Sequence, residues 1–148
     1  MQKSCFLCAT RAVKLRHTMT QSIIKNGKGI VKMKEEFVKF LDTEREKCFE
    51  REKALIEDGR KDEANLCKVE ANIYDIFRTL YRFSDKQGSS EEERTQLFLS
   101  KAKVIPANWE KSYHLAKEHN DSRKILVEET KLHTVEKIMR EYHKIMEE

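Results

Sequence analysis

Residues 61–84, "KDEANLCKVEANIYDIFRTLYRFS", place Leu66, Val69, Ile73, Ile76, Phe77, Leu80 and Phe83 at steps of three and four. That spacing stacks them on one broad helical face. At about 1.5 Å per residue the segment spans roughly 36 Å. The preceding stretch, 30–57, carries Ile30, Met33, Phe37, Phe40, Leu41, Cys48, Phe49, Leu55 and Ile56 at the same kind of step. Between the two, "EDGRKD" offers a turn at Gly59, and two long helices joined by a short loop predict an antiparallel hairpin. The pattern thins between Leu41 and Cys48, and Glu44 and Glu52 stand where the stripe would continue. This part of the hairpin is therefore expected to be less buried.

The rest of the chain reads the same way. Only 4 glycines and 1 proline punctuate 148 residues, of which 38% are charged and 39% hydrophobic, the composition of long charged helices with few turns. Cys8, Ala12, Leu15, Met19 and Ile23 form an amphipathic stripe that should stop at "NGKG". In "SSEEE", Ser90 and Glu93 have the spacing of a capping box. A short helix is expected from there to about Lys103, and Pro106 is placed to open another, with Trp109, Tyr113 and Ala116 inward. "EHNDS" ends it. In 122–147, Ile125, Leu132, Met139 and Met146 recur every seven residues, with Val135, Tyr142, Ile138 and Ile145 beside them and Glu128 interrupting. Three heptads favour a bundle helix over an independent zipper.

The expectation is a single all-α domain over 1–148. It is a helical bundle of four to five helices built on the long antiparallel hairpin, with 1–27 a basic helix available for assembly. Every hydrophobic run is interrupted by charge, so no membrane span is expected. There is no secretory h-region, and the four cysteines are too few and too irregular for a disulfide scaffold, which makes a reducing cytoplasm the simplest compartment.

Charge is distributed unevenly along the chain. Residues 1–34 hold eight Lys or Arg and no Asp or Glu, whereas 35–148 sum to −4 within a chain of net charge +4. Lys3, Arg11, Lys14 and Arg16 are the candidate phosphate contacts if this end binds nucleic acid. The short-turn module of most DNA-binding helices and the interleaved aromatics of single-strand binders are missing from it. Leu15, Met19 and Ile23 are the candidate assembly residues, and the thinned stripe of 41–56 on a second copy is their candidate receiver.

Cys5 and Cys8 form a CxxC, the spacing that lets two thiolates share a metal ion, but Cys48 and Cys67 are single residues on different helices rather than a second pair. Their positions are those of small packing hydrophobes. None of the five histidines follows a glutamate by three residues, as helical di-iron sites require. Glu110 with His114 and Glu129 with His133 are helix-surface pairs. No phosphate-binding loop, nucleophile elbow, zincin or calcium-loop motif occurs. The leading functional expectation is thus a non-enzymatic, cofactor-free interaction or regulatory protein that associates with itself or a protein partner. Nucleic-acid binding comes second, and a metal site at Cys5 and Cys8 third.

Overall fold

The computed structural model describes residues 27–147. The candidate residues Lys3, Cys5, Cys8, Arg11, Lys14, Leu15, Arg16, Met19 and Ile23 all lie outside them. Four α-helices follow in chain order: α1 (Gly27–Glu57), α2 (Lys61–Gln87), α3 (Glu91–Glu118) and α4 (Ser122–Glu147). The chain divides into two compact units, Met1–Glu35 and Glu36–Glu148. In the first, the described residues are the opening of α1. The second contains the core, where α3 packs on both α2 and α4, and α2 packs on α4.

Local chemistry fixes the helix ends. After α1, Gly59 takes φ 76°, Arg60 N–H donates to the Leu55 carbonyl and Gly59 N–H to the Ile56 carbonyl, a Schellman stop. α3 ends on the same motif with Asn120 at φ 54°, as Asp121 N–H reaches the Ala116 carbonyl and Asn120 N–H that of Lys117. Asp121 then turns to the next helix, its carboxylate accepting from Lys124 N–H at 3.0 Å, which caps α4. At the start of α3, Ser90 Oγ accepts from Glu93 N–H at 3.2 Å, while the Glu93 carboxylate reaches one residue further back than the usual box, to Ser89 N–H at 2.7 Å. Gly88 is required there for space. A Cβ on it would lie 2.5 Å from Arg94 Cγ and 2.6 Å from the Arg94 backbone nitrogen, and the Gly88 carbonyl accepts from Arg94 Nε.

One helix starts earlier than expected, and one expected break is absent. α1 begins at Gly27, so both glycines of "GKG" lie in its first turn, while the expected end of the preceding helix lies outside the described residues. Glycine costs a helix about 1 kcal/mol against alanine without forbidding it, and the first turn has no intrahelical acceptors to lose. The stretch Glu91–Glu118 is one helix, not two, and Pro106 sits inside it. Proline removes one hydrogen bond, but Phe98 and Ala102 before it and Ala116 after it are all buried. Their spacing keeps them on one face only if the helix continues through Pro106.

The core is aromatic. Phe37 of α1 lies 4.9 Å from Tyr81 of α2, 6.0 Å from Phe98 of α3 and 5.1 Å from Tyr142 of α4, centroid to centroid. Phe98 closes the cluster at 5.2 Å from Tyr81 and 4.8 Å from Tyr142. Edge-on pairs at such distances add about 0.5–1.5 kcal/mol each beyond their burial. On the α1–α2 side, side chains pair in opposite senses along the two helices: Asp42 with Arg78, Arg45 with Asp75, Arg51 with Glu70 and Glu52 with Lys68.

Phe98→Ala should lower the unfolding free energy by about 3–5 kcal/mol, read from urea denaturation followed by circular dichroism. Gly88→Ala should lower it by about 1–3 kcal/mol, because the Arg94 backbone must shift.

Candidate interaction surface

α2 carries two apolar stripes. Ala64, Cys67, Ala71, Tyr74, Phe77, Tyr81 and Ser84 face inward, because Tyr81 and Phe77 meet Phe98. The stripe with the more conspicuous residues is rotated towards the edge. Ile73 is buried, but Leu66, Val69, Ile76 and Leu80 are half-buried and Phe83 is 47% exposed. Sequence periodicity identifies the helix and misplaces its inner face. Counting large hydrophobics overweights Val69, Ile76 and Phe83 against the small residues and tyrosines that pack inside.

The outer part of that stripe is uncharged. Asn65, Val69, Asn72, Ile76, Thr79 and Phe83 recur at steps of four and three with no Asp, Glu, Lys or Arg among them. α3 extends the same face. Lys101 holds its ammonium 5.2 Å from the Phe83 ring, and one turn to either side of it come half-buried Leu97 and Val104, which is 63% exposed. Ala107 and Leu115 continue the line, Leu115 at 51% exposure, with Lys111 the second charge on it. The six α2 positions carry no charge, while exposed Lys68 and Lys86 border them and Lys101 and Lys111 stand on the α3 line. These exposed apolar side chains make the face the candidate for contacts.

The other exposed surfaces are built differently. The gap expected at Glu44 and Glu52 is filled rather than open. Glu44 pairs with Lys137 of α4 and, at 2.7 Å, with Lys47, while Glu52 pairs with Lys68 at 3.4 Å. Those two carboxylates are only 13% and 16% exposed. A cleft of about 600 Å³ lies here, lined by Glu44, Lys47, Glu50, Arg51, Glu70 and Lys137. Its cations are engaged, with Arg51 donating to Glu70 at 2.6 Å and to Cys48 Sγ at 3.3 Å. It serves to join α1, α2 and α4. Burial works against the charge on Glu44, yet hydrogen bonds from Lys137 and Lys47 more than offset it and hold the carboxyl below its ordinary range. Exposed Phe49 lies under Arg45, with the guanidinium 6.0 Å from the ring.

Cys48 and Cys67 are both buried and free, in the packing positions expected of them. Burial, followed by the nearby Glu70 carboxylate, pushes the Cys48 thiol up to about 11, and burial also raises Cys67. Neither is poised as a thiolate at neutral pH. No group of three His, Cys, Asp or Glu side chains is arranged to hold a metal ion among the described residues. Of the surface pairs, Glu129 accepts from the Tyr113 hydroxyl at 2.9 Å, and His114 and His133 are exposed. Glu128, which interrupts the heptads of α4, is 4% exposed and bonded to Lys131 at 3.0 Å. Lys131 in turn lies 5.6 Å from the Trp109 ring.

No helix among the described residues is long and apolar enough to cross a membrane. No family model matches the chain, and no curated protein or solved structure matches it.

The pH dependence of stability follows from Glu44. Its folded form binds a proton less readily than the unfolded chain, so its contribution is complete above the unfolded value near ~4.3. That contribution is lost as pH falls through the lower folded value. Glu44→Gln should therefore shrink the difference between denaturation midpoints at neutral and strongly acid pH. In a Cys5→Ser/Cys8→Ser background, Cys48 and Cys67 should react with a thiol reagent at pH 8 only at the rate of unfolding, becoming fully reactive in denaturant.

Proposed function

We propose that the chain is a non-enzymatic helical interaction protein of the cytoplasm, acting through protein–protein contacts made by the uncharged face of α2 and α3. The observation that carries this reading is the exposure of Phe83, Val104 and Leu115 beside an α2 series without charge, in a chain of which 38% is charged. Leaving such side chains in water forfeits about 25 cal/mol for each Å² of apolar surface. A protein partner presenting an apolar helical face recovers that area. A nucleic acid does not, because its affinity comes chiefly from phosphate neutralisation, and the α2 series itself contains no cation.

The test is site-specific photocrosslinking in cells producing the full chain. A benzophenone side chain replacing Thr79, at the centre of the face, should trap protein, whereas one replacing the exposed His133 of α4 should not. Equal adducts from both positions, or none from Thr79, would overturn the reading. Nucleic acid captured at Thr79 would likewise overturn it.

A further inference from the structure

We infer that the occupant of the uncharged face is a second copy of this chain, docked by the same face about a two-fold axis. The inference rests on the interaction reading above and moves the expected self-contact away from the 41–56 stripe, which α2 and α4 of the same chain already fill through Lys68 and Lys137.

Symmetry supplies the first argument. A two-fold contact apposes a patch with itself, so residue i meets j and j meets i. A patch rich in one sign of charge therefore repels its copy, and the chain as a whole carries +4. A surface of mixed charge needs its opposite signs placed in register. The series Asn65, Val69, Asn72, Ile76, Thr79, Phe83 avoids both costs, because it contains no charge at all.

The second argument is register. The steps of that series are four, three, four, three and four, which read identically in either direction. An antiparallel copy of α2 thus presents the same spacing to its twin. The midpoint falls at residue 74, which brings Asn72 of one chain level with Ile76 of the other, Val69 level with Thr79 and Phe83 level with Asn65. Large and small side chains alternate across the axis, the arrangement in which helical ridges enter grooves. Val104 and Leu115 of α3 flank this seam and widen it. Lys101 is drawn over Phe83 of its own chain, which leaves the axis clear.

The test is the mass of the reduced full chain by multi-angle light scattering, from low to high micromolar concentration. The wild type should reach twice 17.6 kDa. Ile76→Lys and Val104→Lys should each return it to the monomer mass, weakening dimerisation roughly tenfold or more by burying unpaired charge. Helicity and denaturation midpoint should stay near wild type, and His133→Lys should leave the dimer intact. A wild type that stays monomeric at high micromolar concentration, or a dimer indifferent to both lysines, overturns the proposal.

The photocrosslink from Thr79 separates the possible failures. Adducts to a different protein, with a monomeric wild type, sink the second copy and leave the interaction reading standing. Adducts within one chain to residues 1–26 overturn both the second copy and the foreign partner, by making the Leu15, Met19 and Ile23 stripe the cover. No adduct at all removes both readings together.

Discussion

The ring contacts joining Phe37, Tyr81, Phe98 and Tyr142 determine how each helix of the bundle is turned. One aromatic comes from each of the four helices, and all lie within 6.4 Å of one another. Because neighbouring residues on a helix are separated by about 100°, fixing Tyr81 inward fixes Phe77, Tyr74 and Cys67 inward as well. It also carries Val69, Ile76 and Phe83 to the edge. The exposed apolar face is therefore a consequence of how the core is filled. Burial raises the hydroxyls of both Tyr81 and Tyr142 above the ordinary range of tyrosine, so both are neutral near neutral pH and the cluster holds no charge there.

Around that core, ionic pairing handles what apolar packing does not. α1 has acids where its stripe should be hydrophobic, at Glu44 and Glu52, and each is met by a lysine from another helix. Glu128 is the deeper case, nearly fully enclosed and bonded to Lys131 in its own helix. Pairs of this kind contribute little net stability, since desolvation offsets most of the attraction. Those of Glu44 and Glu52, which cross between helices, do constrain alignment, because a helix slipped by one turn would leave the carboxylate without its cation. The α2 series and the α3 side chains beside it depart from this pattern, which is why they are the candidate for a contact surface.

The sequence made the helices and their ends legible. Gly59, the Ser90–Glu93 pair and "EHNDS" each act locally, through one left-handed residue or one side-chain cap, and local chemistry can be read from neighbours. Pro106 misleads because tertiary packing on both sides of it holds Phe98, Ala102 and Ala116 in one register. The same limit applies to α2, whose two overlapping stripes share a helix, so that only the partners of Tyr81 and Phe77 decide which is inner. Glu44 and Glu52 read as gaps because their lysines are distant in sequence: Lys68 is 16 residues from Glu52, and Lys137 is 93 from Glu44. Of the interaction surface, the absence of charge at steps of three and four was visible in the chain, and the contribution of α3 was not.

The most direct test of this account is oxidative footprinting of the full chain at two concentrations, with labelling resolved at single side chains by mass spectrometry. If the uncharged face is where the molecule meets its partner copy, labelling of Phe83 and Leu115 should fall as concentration rises, while the equally exposed Phe49 and Leu126 stay constant. Protection at Phe49 and Leu126 instead, or no change at Phe83 and Leu115, would contradict it.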